Sequence, residues 1–269
     1  MYQEGFPCAG ADCREKEISG DVLLWRKRWK TLHEKGMDCS RQETVLSDQC
    51  GKVRDGSVEI WLLSDGTWVG YDGKKCPENE VALGKLKKKL VDTVRRYRGS
   101  WSVYVKNLET GDVVNINDRS MYSASTIKAF VMASVYNEIA HGRMEESSTV
   151  RSLLHSMITV SSNDAYNTLV CAQGNSFVSG AAVVNRYLKK QGYDQTGCHH
   201  TASCASTGDG GRNMTSAKDC GVLLERIYRG KCVSRKYSQK MQSLLLQQKR
   251  RGKIPAGLPA GVKAANKTG

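Results

Sequence analysis

Ten cysteines spread from Cys8 to Cys232 over 269 residues constrain this chain more than any other feature. Between them lie Cys13, Cys39, Cys50, Cys76, Cys171, Cys198, Cys204 and Cys220. So many scattered thiols bring no benefit in a reducing compartment, and disulfides in an oxidising one are the simpler reading. Cys198-His199-His200 followed by Cys204 groups four metal-ligand types, but the spacing matches no standard zinc pattern. Bridges are therefore expected there, with no metal and no cofactor. An oxidising compartment implies export, to the cell surface or beyond. The first twenty residues carry no apolar signal core, so a signal or anchor removed from this chain is expected. No stretch is apolar and long enough to span a bilayer.

The formal charge is +14. Basic chains are drawn to nucleic acid, anionic lipid or acidic wall polymers. No zinc-finger, RNA-binding or basic-zipper pattern occurs, which argues against nucleic acid, as does the compartment. An anionic cell-wall polymer fits both facts as a partner, on charge alone. From Arg226 to the end there is no acid. The run Lys249-Arg250-Arg251 in that stretch reads as a solvated basic helix end, with attraction to an anionic substrate or wall polymer as the alternative.

Residues 1–80 hold five cysteines and four of the five tryptophans: Trp25, Trp29, Trp61 and Trp68. They read as a small disulfide-stapled module with a short helix over 22–33. A hairpin is expected from Val58 to Tyr71 around Asp65-Gly66. Residues 81–269 form the second domain. Leu83 to Tyr97 has helical spacing, and Trp101 to Asn107 alternates as a half-buried strand. A turn at 109–112 leads to a second strand over 113–116. After Ser125 the chain turns helical, with helices expected over 125–140, 175–191, 216–229 and 235–249, three of them stopped by glycine. Val262 to Gly269 is expected to return as a strand.

Three short motifs occur once each and in order: Ser125-Thr126-Ile127-Lys128, Ser161-Ser162-Asn163 and Lys267-Thr268-Gly269. Singly, each is better read as a helix cap or a turn. Together they describe one chemistry. Residues three apart share a helix face, so Ser125 and Lys128 can meet. A serine is a poor nucleophile until a base takes its proton. A lysine is such a base only when burial or a nearby cation lowers its pKa, and Lys267 can be that cation. A helix start also helps hold an oxyanion. Ser161 can relay a proton, Asn163 can hold a substrate amide, and Lys267 and Thr268 on an edge strand can bind a carboxylate.

From about Leu83 to Gly269 the chain resembles the class A β-lactamases and penicillin-binding proteins. Tyr122 to Lys128 is similar to that family's nucleophile segment, and Met157 to Ala165 to its second motif. Asn213 to Ala217 with Leu223-Leu224 is similar to the helix after its Ω-loop. The resemblance implies an α+β fold, an antiparallel sheet flanked by helices plus a helical subdomain, with the site at their junction. It implies a β-lactam or a peptide, peptidoglycan-like substrate, with Ser125 acylated, Lys128 as base and Ser161, Asn163, Lys267, Thr268 and Gly269 in support. Three features depart from the pattern. Ser162 stands where class A enzymes carry Asp. Ser125 and Ser161 are closer in sequence than usual. No glutamate occurs between Glu146 and Glu225 to activate a deacylating water. A protein that binds or senses β-lactams or cell wall without efficient turnover, its acyl-enzyme lasting if one forms, is the alternative reading. The resemblance also implies strands and a closing helix after Gly269, so the natural protein is expected to be longer.

Overall fold

The computed structural model describes the backbone of residues 60–62, 68–70 and 78–81, and residues 82–202 and 208–269 in full. The chain divides into two compact units, Met1–Lys85 and Leu86–Gly269. In the first, β1 (Ile60–Leu62) pairs antiparallel with β2 (Trp68–Gly70), Trp61 opposite Val69, as the hairpin pattern requires. The Asp65-Gly66 turn, the helix expected over 22–33, Trp25, Trp29 and the first five cysteines lie outside the described residues, and with them the expected disulfide staples. α1 (Glu78–Val94) realises the helical spacing read from Leu83 onward.

The second unit is α+β. β3 (Val103–Lys106) pairs antiparallel with β4 (Val113–Ile116), Val103 opposite Ile116 and Lys106 opposite Val113. Asn107 Oδ1 accepts the Glu109 amide at 2.9 Å and closes the turn between them. A two-residue ladder joins β5 (Met121–Tyr122) to β6 (Met214–Thr215). Six further helices follow: α2 (Ile127–Ala140), α3 (Ser148–Thr159), α4 (Asn163–Cys171), α5 (Phe177–Lys190), α6 (Ala217–Tyr228) and α7 (Arg235–Leu246).

Five of these helices start on a serine. Ser147, Ser162, Ser176, Ser216 and Ser234 each accept a backbone N–H three residues on, which satisfies one of the orphan donors of a first turn. Glycines in the left-handed region, Gly192 (φ +72°) and Gly230 (φ +71°), close α5 and α6. Every residue of α2 from Ile127 to Tyr136 is buried. A helix apolar on all sides belongs in a core, and Leu154, Ile158, Leu169, Val184, Leu188 and Met241 from the surrounding helices enclose it. Each such side chain contributes on the order of 2 kcal/mol by leaving water.

Two expectations need correction. Residues 262–269 form no strand. A strand needs a ladder, and this segment is fixed otherwise: the Asn266 amide donates to Leu245 O at 3.2 Å, and Ala265 packs on the core. Lys267 and Thr268 therefore do not sit on an edge strand. The cysteines Cys171, Cys198, Cys220 and Cys232 are free thiols, so no bridge joins any two of them. Cys198 is buried against the Tyr166 hydroxyl at 3.1 Å, and burial pushes its thiol pKa up to about 11.

Candidate active site

The segment before α2 is held from outside. Ser123 donates through both its amide (2.9 Å) and its hydroxyl (3.0 Å) to Asn213 O. Its own carbonyl accepts from the amide and hydroxyl of Thr126. Between them Ala124 takes φ +44°. The 3-10 turn Ala124–Thr126 then runs into α2. Ser125 and Lys128 thus lie one turn apart on one face, and Lys128 Nζ is 3.1 Å from Ser125 Oγ.

Lys128 is fully buried but well provided with acceptors. Its Nζ donates to Ser161 O at 2.8 Å and Asn163 Oδ1 at 2.7 Å, and reaches Ser161 Oγ at 3.3 Å. Ser161 sits at the α3–α4 junction with φ +64°. Left-handed conformations cost a residue with a side chain about 1–3 kcal/mol, and here two such residues, Ala124 and Ser161, flank the site. Ser162 is the N-cap of α4, accepting from the Ala165 amide at 3.2 Å. Ser and Asp cap helices comparably well, which accounts for serine at this middle position. Asn163 then falls on the first turn of α4.

Lys267 approaches from the far end of the chain. Its Nζ donates to Ser161 Oγ at 3.0 Å and to Thr268 O at 2.7 Å. Gly269 lies against the nucleophile segment. A Cβ there would come within 3.2 Å of Ser123 O and 3.1 Å of the Thr126 methyl, so a residue without one fits. The structure therefore brings Ser125, Lys128, Ser161, Asn163 and Lys267 into one hydrogen-bonded chain. Thr268 joins it through its carbonyl, and Gly269 by close approach.

Both lysines sit below their ordinary pKa. Burial, then the Arg250 charge, lowers Lys128 to about 8. Burial, then the charges of Lys128 and Arg250, lowers Lys267 to about 7. Arg250 thus acts on Lys128 alongside Lys267, the cation the sequence pointed to, since the charges of Lys128 and Lys267 repel each other. No carboxylate is hydrogen-bonded to this network among the described residues.

Sequence reading missed two residues. Arg250 passed for part of a solvated basic run; its place in a stretch without acids was the one available signal. Asn213 is a buried hub. Its Oδ1 accepts the amides of His199 (2.7 Å) and His200 (3.1 Å), and its Nδ2 donates to His200 O (2.9 Å) and the Tyr166 hydroxyl (3.2 Å). One residue thus ties the 197–200 loop, α4 and the nucleophile segment together. His199 pairs with Asp209 at 2.8 Å, and the His200 ring stacks on Tyr122. Among the described residues no cluster of His, Cys, Asp and Glu is arranged to hold a metal; Cys204 lies outside them.

A family model described as "Beta-lactamase enzyme family" matches residues 85–150 and 144–269. Solved structures share the fold. A β-lactamase from Sphaerobacter thermophilus is 17% identical with a TM-score of 0.57, covering 65% of this chain and 74% of that one. A variant of the class A β-lactamase of the last common ancestor of Gram-negative bacteria is 23% identical, with a TM-score of 0.57 and coverage of 66% and 76%. A PBP-A mutant in acyl-enzyme complex with penicillin G is 24% identical, with a TM-score of 0.60 and coverage of 70% and 78%. No curated protein matches the chain.

Proposed function

The chain belongs to the β-lactamase enzyme family, and from that premise we propose that it is a serine acyl-transfer enzyme opening β-lactam or peptide amide bonds through a Ser125 acyl-enzyme. The observation that carries the reading is the 3.1 Å contact of Ser125 Oγ with a buried lysine whose pKa lies near 8. Neutral Lys128 takes the Ser125 proton as Oγ attacks the amide carbonyl. The Ser161 hydroxyl, between the two lysines, passes a proton to the departing nitrogen as the C–N bond breaks. The acyl group stays on Ser125. Asn163 Oδ1 is engaged by Lys128, which leaves its Nδ2 to bind a substrate carbonyl. Lys267 and Thr268 hold a substrate carboxylate. Docking of that anion favours the protonated form of Lys267 and, by repulsion, the neutral form of Lys128.

A second reading, penicillin binding or sensing without efficient turnover, is favoured by the absence of a carboxylate from the described network. The test is intact-protein mass over time after mixing with a penicillin or a cephalosporin. The wild type should gain one drug mass and Ser125→Ala none. A persisting adduct supports the second reading; its rapid loss with drug consumption supports hydrolysis. An adduct of equal size on Ser125→Ala would remove Ser125 as the nucleophile.

A further inference from the structure

Between α7 and Lys267 the chain runs over the surface. No residue from 252 to 269 is fully buried, and Ile254 is 81% exposed. Beyond one 3-10 turn, Ile254–Gly257, the stretch has no regular element. Its ties to the rest lie at the far end. The Asn266 amide donates to Leu245 O at 3.2 Å, its Nδ2 reaches Arg250 O at 3.4 Å, and Lys267 Nζ donates to Ser161 Oγ at 3.0 Å. Ala265 rests on the core. This stretch nevertheless carries Lys267 into the candidate site, which is complete only while residues 252–269 stay attached.

The tether is the run Lys249-Arg250-Arg251-Gly252. Its first two residues are tied down. The Lys249 amide donates to Thr159 O and the Arg250 amide to Gln248 Oε1, both at 2.9 Å, and Arg250 O accepts from Asn266. On the far side Lys253 O accepts the Ala256 amide at 2.9 Å. Arg251 and Gly252, between these anchors, are exposed, and their backbones make no hydrogen bond among the described residues. A Cβ on Gly252 would meet nothing within 4 Å, so open space surrounds the bond. An endoprotease must draw several residues into an extended line, which costs least where no backbone bond has to break. Three successive cations suit the acidic pockets of a trypsin-like protease.

We infer that the Arg251–Gly252 bond is a proteolytic modification site for a trypsin-like endoprotease, and that cutting it switches the acyl-transfer site off. Water adds across the amide, leaving a carboxylate on Arg251 and an amine on Gly252. Without its tether, the 252–269 segment is held by little more than the Asn266 and Lys267 bonds, against the freedom it gains on leaving. It departs and takes Lys267 with it. The switch rests on the acyl-transfer reading above; the cut does not.

The test is brief digestion of the full chain with trypsin. Cutting at each bond is followed by fragment mass, and the remaining acylation by the benzylpenicillin adduct. Within the unit Leu86–Gly269, Arg251–Gly252 should be cut first, and acylation should fall in step with that cut. Arg251→Gln should slow both about tenfold or more, because the protease loses the cation it reads. A first cut elsewhere in the unit would overturn the site, as would a shift to Arg250–Arg251 at the wild-type rate in the variant. A cut chain that keeps its 252–269 segment and its full acylation rate would overturn the switch. If the uncut wild type is never acylated, the acyl-transfer reading falls and the switch with it, while the fragment masses still decide the site.

Discussion

Lys128 and Lys267 compete for the same hydroxyl, Ser161 Oγ, at 3.3 and 3.0 Å. The proposed chemistry needs one of them neutral and the other charged, so the productive state carries one proton between the two. Too acid a solution protonates the base. Too alkaline a solution discharges the carboxylate-binding cation. With Lys128 near 8 and Lys267 near 7, the shared proton rests mainly on Lys128 in the free protein. The productive arrangement is thus the minor one until an anion docks beside Lys267. The acylation rate should still follow a bell between about pH 6 and about pH 9, with its limbs governed by the pair. Rates from stopped-flow or quenched mass measurements across that range would test it. A flat profile would take the lysines out of the proton-transfer step. Arg250 enters the same balance, since its fixed charge lowers both lysines and its loss should move both limbs toward higher pH.

At the scale of elements, the site hangs on pieces that are individually simple. α2, α5 and α6 were legible because their cues are local: serine caps, apolar spacing and left-handed glycines. The three motifs were legible because chemistry restricts their residue types. The hub at Asn213 was not, because its value lies in partners up to 90 residues away in sequence. The same limit explains the mistaken strand at 262–269, whose support comes from Leu245 O rather than from a ladder. Replacing Asn213 with alanine strips partners from two half-buried amides, a carbonyl and the Tyr166 hydroxyl. We expect a stability loss of about 1–3 kcal/mol in urea unfolding. Hydrogen exchange should quicken at the His199 and His200 amides. The Ser123 amide, bonded to the Asn213 backbone, should stay protected. Unchanged exchange at the two histidine amides would show that the hub bears no load.

Across the whole molecule, charge and site point the same way. The chain is basic by +14 and has no acid after Arg226, and three cations bear on the candidate site from that side and from α2. Anionic acyl donors would be drawn toward such a field, and less so as salt screens it. The site also has a long-range closure. Lys128 meets Ser161 across 33 residues, but Lys267 meets Ser161 across 106. Helices and their neighbour contacts form early and locally, whereas long loops close late. On dilution from denaturant, helical circular dichroism should return before the chain can be acylated, and coincident recoveries would count against this order. Reactivity toward a drug would then report when Lys267 and its segment reach Ser161, which makes the proposed acylation a clock for that late step of folding.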